Sequence, residues 1–207
     1  MGDALTDSSN PWVTRDSDPE PEPTVVNDLA TPASGPTSPQ AGVTVPSEAT
    51  LLPTRERWSP AALWVLGTHG GAGESSLAAL VPEWSPAEHE WPHHVGESPT
   101  RVLLTARTSM RGLLAARAAA TQWAAGRTPR VDVLGLVLIA DAPGRVPRPL
   151  RDLAGVVSGG VPRTWSVPWV ESWRLGESPT PQTAPRAVRR LVEELHVLLE
   201  RADGTTE

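Results

Sequence analysis

The chain has 207 residues, 24 acidic against 18 basic side chains, and a formal net charge of −6. That length allows one ordinary domain with tails, and the absence of cysteine excludes a disulfide framework and a thiolate metal site. Seven of the acids but only Arg15 among the bases fall in residues 1–46, so the rest of the chain is electrically balanced, a poor basis for nucleic-acid binding.

No apolar run reaches the roughly 20 residues of a membrane span. The start Met1-Gly2-Asp3-Ala4 lacks the basic and apolar stretches of a secretory leader, so the expectation is a cytoplasmic protein. Every basic residue is arginine, and the aromatic set is nine Trp with no Phe or Tyr. Such a bias points to a GC-rich genome and lowers what any single Arg or Ala can tell.

Residues 1–57 are rich in Pro, Ser, Thr and acids and show no periodicity. They cannot bury enough apolar surface to offset backbone ordering, so a disordered acidic tail is expected there. A domain over 58–203 follows. An apolar run at 61–66 predicts a strand, and a short helix begins at Ser75 and ends by Pro82. Ser85-Pro86-Ala87-Glu88 has the form of a capping box, which predicts another short helix stopped by Pro92.

Residues 101–105 predict a buried strand. Residues 108–125 predict an Ala-rich helix with Met110, Leu113, Leu114, Arg117 and Thr121 on one face, closed by Gly126. Residues 131–140 form the most continuous apolar run and predict a central strand of a parallel sheet. A short helix over 150–157 and a strand over 165–169 come next. A terminal helix over 184–202 turns Val188, Leu191, Val192, Leu195, Leu198 and Leu199 inward. Strands alternating with helices predict an α/β fold, a small and mostly parallel sheet flanked by helices.

One segment carries chemistry. Residues 67–77 read Gly-Thr-His-Gly-Gly-Ala-Gly-Glu-Ser-Ser-Leu, a glycine loop between a predicted strand and a predicted helix. Glycines let consecutive backbone N–H groups turn towards an anion, and a helix N-terminus adds its positive end. The general phosphate-loop pattern G-x-x-x-x-G-K-[ST] is met from Gly73 onward, with Glu74 in place of lysine and Thr68 in place of the first glycine. A carboxylate there replaces attraction by repulsion. One unit-charge contact at 4 Å is worth about 4 kcal/mol at an effective dielectric of 20, more than a few amide donors of about 1 kcal/mol each.

The stretch His69-Gly70-Gly71-Ala72-Gly73-Glu74-Ser75-Ser76 resembles the deviant loop K-G-G-x-G-K-[ST]-[ST] of the ParA/MinD partitioning ATPases. His69 and Glu74 occupy its two lysine positions. It is also similar to lysine-lacking loops in uncharacterised actinobacterial proteins. Residues 101–114, 133–139 and 167–173 look like later strands and turns of the ParA/MinD family, whose middle is missing here. The resemblance implies a truncated, degenerate P-loop domain. Gly70, Gly71, Ala72, Gly73, Glu74, Ser75 and Ser76 would bind ATP, with Ser75 holding magnesium. Asp141, in the Asp-x-Pro-Gly that ends the strand at 136–140, has the form of a Walker B residue that would hold a magnesium-bound water. The alternative makes Asp141 a helix cap or turn residue after a core strand, where Asp is common.

Two functions stand at this point. The first is a nucleotide-dependent switch or regulatory subunit with weak or no hydrolysis and no assignable catalytic residue. A homodimer or protein partner would then lend an arginine. The second is a pseudo-NTPase adaptor that binds no nucleotide and no cofactor, with Glu74 capping the loop's own amides.

Other groups give weaker signals. His89-Glu90-Trp91-Pro92-His93 matches H-E-x-x-H, but Pro92 opposes the helix that a zinc site needs, so a solvated loop is expected. Trp165, Trp169 and Trp173 read as core plugs near a sheet end, Arg145, Arg148 and Arg151 as a solvated loop, and His196 as structural. The pentapeptide Gly-Glu-Ser-Pro-Thr occurs at 96–100 and again at 176–180, and no function attaches to it.

Overall fold

A computed structural model describes residues 35–94, 96, 98–128 and 130–203. Seven strands and five α-helices alternate along it. They are β1 (Thr54–Arg57), β2 (Leu63–Gly67), α1 (Glu74–Ala78), β3 (Trp84–Pro86), β4 (Trp91–His94), β5 (Thr100–Arg107) and α2 (Met110–Ala124). β6 (Val131–Ile139), α3 (Arg148–Ser158), β7 (Thr164–Val167), α4 (Glu171–Arg174) and α5 (Arg186–Asp203) complete the chain. Five strands make one sheet in the order β3-β2-β5-β6-β7, and every pairing is parallel. β1 and β4 form a separate parallel pair. The expected α/β class, with a parallel sheet flanked by helices, is the one observed.

The strand order decides where a ligand can sit. From β2 the chain steps outward to β3, then returns past β2 to β5 and runs on to β6 and β7. Right-handed crossovers in opposite directions put helices on opposite faces. Leu77 and Ala78 of α1 pack with Val188, Leu191, Leu195 and Leu199 of α5 over Leu63, Val65, Leu103, Val137 and Trp165. Leu113, Ala116, Ala120 and Trp123 of α2 cover Trp64, Leu66, Val102, Leu104 and Leu136 on the other face. The reversal lies between β2 and β5, and open α/β sheets place ligand crevices at the C-terminal ends of the strands on either side of such a point.

Strand alternation explains both cores. Leu63 and Val65 face one layer, Trp64 and Leu66 the other, because successive side chains leave opposite sides of a strand. β6 resets this alternation at a bulge: Val102 lies opposite Val133, Leu134 is passed over, and Leu103 lies opposite Gly135. A Cβ there would lie 2.5 Å from both the Arg163 carbonyl oxygen and the Trp165 ring, so glycine lets the neighbouring strand approach.

Three expectations are corrected. The capping box at Ser85-Pro86-Ala87-Glu88 starts no helix. Trp84, Ser85 and Pro86 pair with β2 as an edge strand, where a missing proline N–H costs nothing, and residues 87–90 turn into β4. The inner face predicted for α2 holds for Leu113 but not for Met110 or Leu114. Leu113, Ala116, Ala120 and Trp123 are buried, whereas Met110 is 50% and Leu114 39% exposed. Alanines at 116, 119 and 120 between Leu113 and Trp123 make up most of the inner stripe.

The third concerns the tail. Residues 35–57 include β1, and the Gln122 side-chain amide clamps Leu52, accepting from its N–H and donating to its carbonyl, both at 2.9 Å. Packing against α2 supplies the hydrogen bonds that local composition does not. The acidic stretch over 1–34 lies outside the described residues.

Candidate functional site

β2 ends at Gly67, residues 68–73 form a turn, and α1 begins at Glu74, so the glycine loop runs from strand into helix at the topological reversal. Gly71 and Gly73 take left-handed φ of 76° and 90° and alternate with residues of negative φ. That alternation turns successive N–H groups towards one side, the backbone form of an anion nest. Ala72 N–H is used internally, donating to the His69 carbonyl at 3.2 Å. The N–H groups of Gly70, Gly71, Gly73, Glu74, Ser75 and Ser76 meet no acceptor among the described residues. A Cβ at Gly70 or Gly71 would meet nothing within 4 Å, whereas one at Gly73 would lie 2.4 Å from the Cδ1 of Ile139.

β5 holds the loop in place. Thr68 donates to the Thr105 carbonyl from both its N–H and its hydroxyl, and the buried Thr105 hydroxyl donates to the Ala72 carbonyl at 2.9 Å. His69 accepts the Arg107 N–H at Nε2, 3.1 Å away, so its ring proton is assigned to Nδ1, which faces the Gly70 carbonyl at 2.9 Å. His69 therefore braces the loop against β5 as a neutral ring and does not stand in for a lysine. The neighbouring helix reaches the same point. A Cβ at Gly112 would lie 2.3 Å from the Arg107 carbonyl oxygen and 2.9 Å from His69 Nε2. α1 has only five residues and contributes little dipole, whereas the 15-residue α2, capped by Ser109, brings its N-terminus beside the loop.

Glu74 does not cap the loop amides, which corrects that expectation. Its side chain is 7% exposed and turns behind the loop. Oε1 accepts the His89 N–H at 3.4 Å, and Oε2 lies 3.4 Å from His89 Nδ1. His89 Nδ1 in turn meets the Gly67 carbonyl at 2.7 Å. The negative charge is thus buried between β2 and the β3–β4 turn.

A cation comes from an unexpected place. The Arg107 side chain, at the end of β5, crosses the loop and donates from Nε to the Gly71 carbonyl at 3.1 Å and from Nη1 to the Ala140 carbonyl at 3.0 Å. Burial pulls its basicity below the ordinary arginine range. The Asp141 carboxylate opposes that shift and the Arg174 guanidinium adds to it, which puts both charges within its electrostatic reach. Arginine from this chain, not from a partner, therefore lies against the loop.

Residues 61–192, more than half of the chain, match a family described as a family of unknown function (DUF6668). The chain belongs to that family. No curated protein and no solved structure matches it.

The remaining sequence candidates separate. Gly70, Gly71, Ala72, Gly73, Glu74, Ser75 and Ser76 form one continuous turn, with the Ser75 side chain exposed. Asp141 is exposed beyond β6, donates its N–H to the Thr108 hydroxyl oxygen at 3.2 Å, and lies within electrostatic reach of Arg107. No group of three His, Cys, Asp or Glu suited to a metal occurs among the described residues.

The H-E-x-x-H stretch is neither helix nor solvated loop. His89 lies in a turn, and His93 and His94 are consecutive on β4, beside a fully buried Trp91. Trp165 is a core plug whose Nε1 donates to Glu194 at 2.9 Å, while Trp169 and Trp173 are half-buried. Arg145, Arg148 and Arg151 are exposed, and His196 packs at 6.0 Å against Trp84. Thr105, Arg107 and His89 were not predicted as site residues. Arg107 carried a signal nonetheless, a charged side chain closing an apolar parallel strand.

Proposed function

We propose that this chain binds a phosphate-bearing ligand of the nucleoside di- or triphosphate class in the crevice between β2 and β5. It would act as a degenerate, non-hydrolysing nucleotide switch or regulatory domain. The observation that carries this reading is the placement of six unengaged loop amides at the topological reversal, with the Arg107 guanidinium across them and Glu74 turned away. Open α/β sheets bind ligands at such reversals. Backbone N–H groups and a planar guanidinium suit phosphate oxygens. Hydrolysis is left out because phosphoryl transfer depends on neutralising charge at the transferred group. This chain has no lysine, and the one acid expected to organise magnesium sits beside Arg107. A cytoplasmic setting and a protein partner that reads the liganded state belong to the same proposal.

A second reading has its own support. Arg107 already bonds two carbonyls at the loop, so an adaptor with a self-closed loop would need no ligand. Calorimetric titration with ADP, ATP and GTP separates the two. The switch reading expects saturable binding to the wild type, weakened at least tenfold in Arg107→Ala, and a gain in Glu74→Lys, since one charge contact is worth about 4 kcal/mol at an effective dielectric of 20. Absence of binding in all three proteins would leave the adaptor.

A further inference from the structure

We propose that His89 is a positioning residue for the glycine loop, holding the Glu74 carboxylate behind it so that the loop presents amides and Arg107 to an anion. This rests on the reading of the loop as an anion site and assigns how that site tolerates an acid.

A carboxylate on the first residue of a helix has the helix's own free N–H groups as natural partners. Here those of Ser75 and Ser76 are unengaged, yet Glu74 faces the other way. Burial of a charged group is costly unless something partners it. The partner in this fold is His89, through its N–H at 3.4 Å and its ring at 3.4 Å.

Linked features of β2, the β3–β4 turn and β1 maintain that contact. Gly67 leaves the room, since a Cβ there would lie 2.9 Å from the His89 ring and 3.0 Å from Glu74 Oε2. The β3–β4 turn places Glu88 and His89 in consecutive left-handed conformations, φ 60° and 62°, a backbone that non-glycine residues adopt only when their surroundings enforce it. Those surroundings come from β1. Arg57 donates to the Ala87 carbonyl, pairs with Glu88 at 3.2 Å and Glu90 at 3.6 Å, and lies 5.2 Å over the Trp64 ring, while Arg55 pairs with Glu90. The His89 ring then bonds the Gly67 carbonyl, the last residue before the loop. Strand β1, the turn and the loop thus form one connected latch on Glu74.

The test is a binding cycle with ADP as probe, run by calorimetry on the full chain. His89→Gly removes the ring but keeps the left-handed backbone available. It is expected to weaken ADP binding on the order of tenfold, as the freed carboxylate turns to the loop amides. Glu74→Gln is expected to bind ADP more tightly than the wild type, and His89→Gly in the Glu74→Gln background to bind as Glu74→Gln does. His89→Asn, which tolerates the same φ and retains a donor for Gly67, is expected to recover most of the wild-type affinity. Thermal melting without ligand identifies any variant that has lost its fold, in which case the His89→Asn pair of proteins completes the cycle. Equal weakening by the His89 substitution with Glu74 and with Gln at position 74 would overturn the positioning role while leaving the anion site standing. Failure of every variant to bind ADP would sink both.

Discussion

Gly73 meets two separate constraints. Its φ of 90° suits only glycine, and any Cβ would collide with Cδ1 of Ile139, the last residue of β6. Gly73→Ala is predicted to destabilise the protein by about 1–3 kcal/mol from the backbone strain, with the collision added. Ile139→Val removes only that Cδ1. On its own it is predicted to cost about 0.5–1.5 kcal/mol, and clearly less in the Gly73→Ala background. Urea denaturation of the four proteins reads this coupling; strict additivity would mean that the loop does not rest on β6. The glycines of this loop were plain in the sequence because their spacing is itself the signal. The Ile139 contact was not, because it joins residues 66 positions apart whose proximity depends on strand order.

At the scale of elements, two predictions concern how α2 and β6 are held. Gln122 is buried on α2 and satisfies both backbone groups of Leu52. Gln122→Ala is predicted to cost about 1–3 kcal/mol for each group left unpartnered and to loosen residues 35–57, seen as faster amide exchange at Leu52. Unchanged exchange there would show that the segment is held by other contacts. Asp132 enters β6, and burial raises its carboxyl above the ordinary carboxylate range, with Arg101 pulling the other way. A raised folded value means that the native state holds this proton more tightly than the unfolded chain. Its contribution is therefore complete below about pH 4 and is lost as pH rises through the folded value. Asp132→Asn is predicted to raise stability at pH 7 and to change it little at pH 3.5, by chemical denaturation at each pH; a loss at pH 7 would point to a structural ion pair.

β6 and α5 were legible because their apolar patterns are long and periodic, and the observed Val131–Ile139 and Arg186–Asp203 follow them closely. β3 was hidden because its three residues carry a proline and a capping pattern, and only the exposed edge of β2 makes them a strand. The inner stripe of α2 was misread for a related reason. In an Ala-rich helix the apolar residues lie on every side, so helical spacing alone does not single out the stripe of Leu113, Ala116, Ala120 and Trp123.

Over the whole molecule, the proposed function draws on the reversal in strand order. That reversal puts the α1–α5 layer and the α2–α3 layer on opposite faces and brings the loop beside the end of β5 and the start of α2. The sequence identified the loop and its missing lysine but could not supply the compensation. Arg107 lies 33 residues beyond Glu74, and His89 belongs to a turn whose own sequence predicts a helix. Charge conflict within the loop, which argued against a ligand from sequence, is relieved once the fold buries Glu74 and lays Arg107 over Gly71. The most direct test follows backbone amide resonances of the full chain during titration with ADP. The account predicts saturable shifts at Gly70, Gly71, Gly73, Glu74, Ser75 and Ser76, with Arg107 following the same isotherm. Resonances of these residues that stay fixed at millimolar ADP, or saturable shifts confined to another part of the molecule, would contradict it.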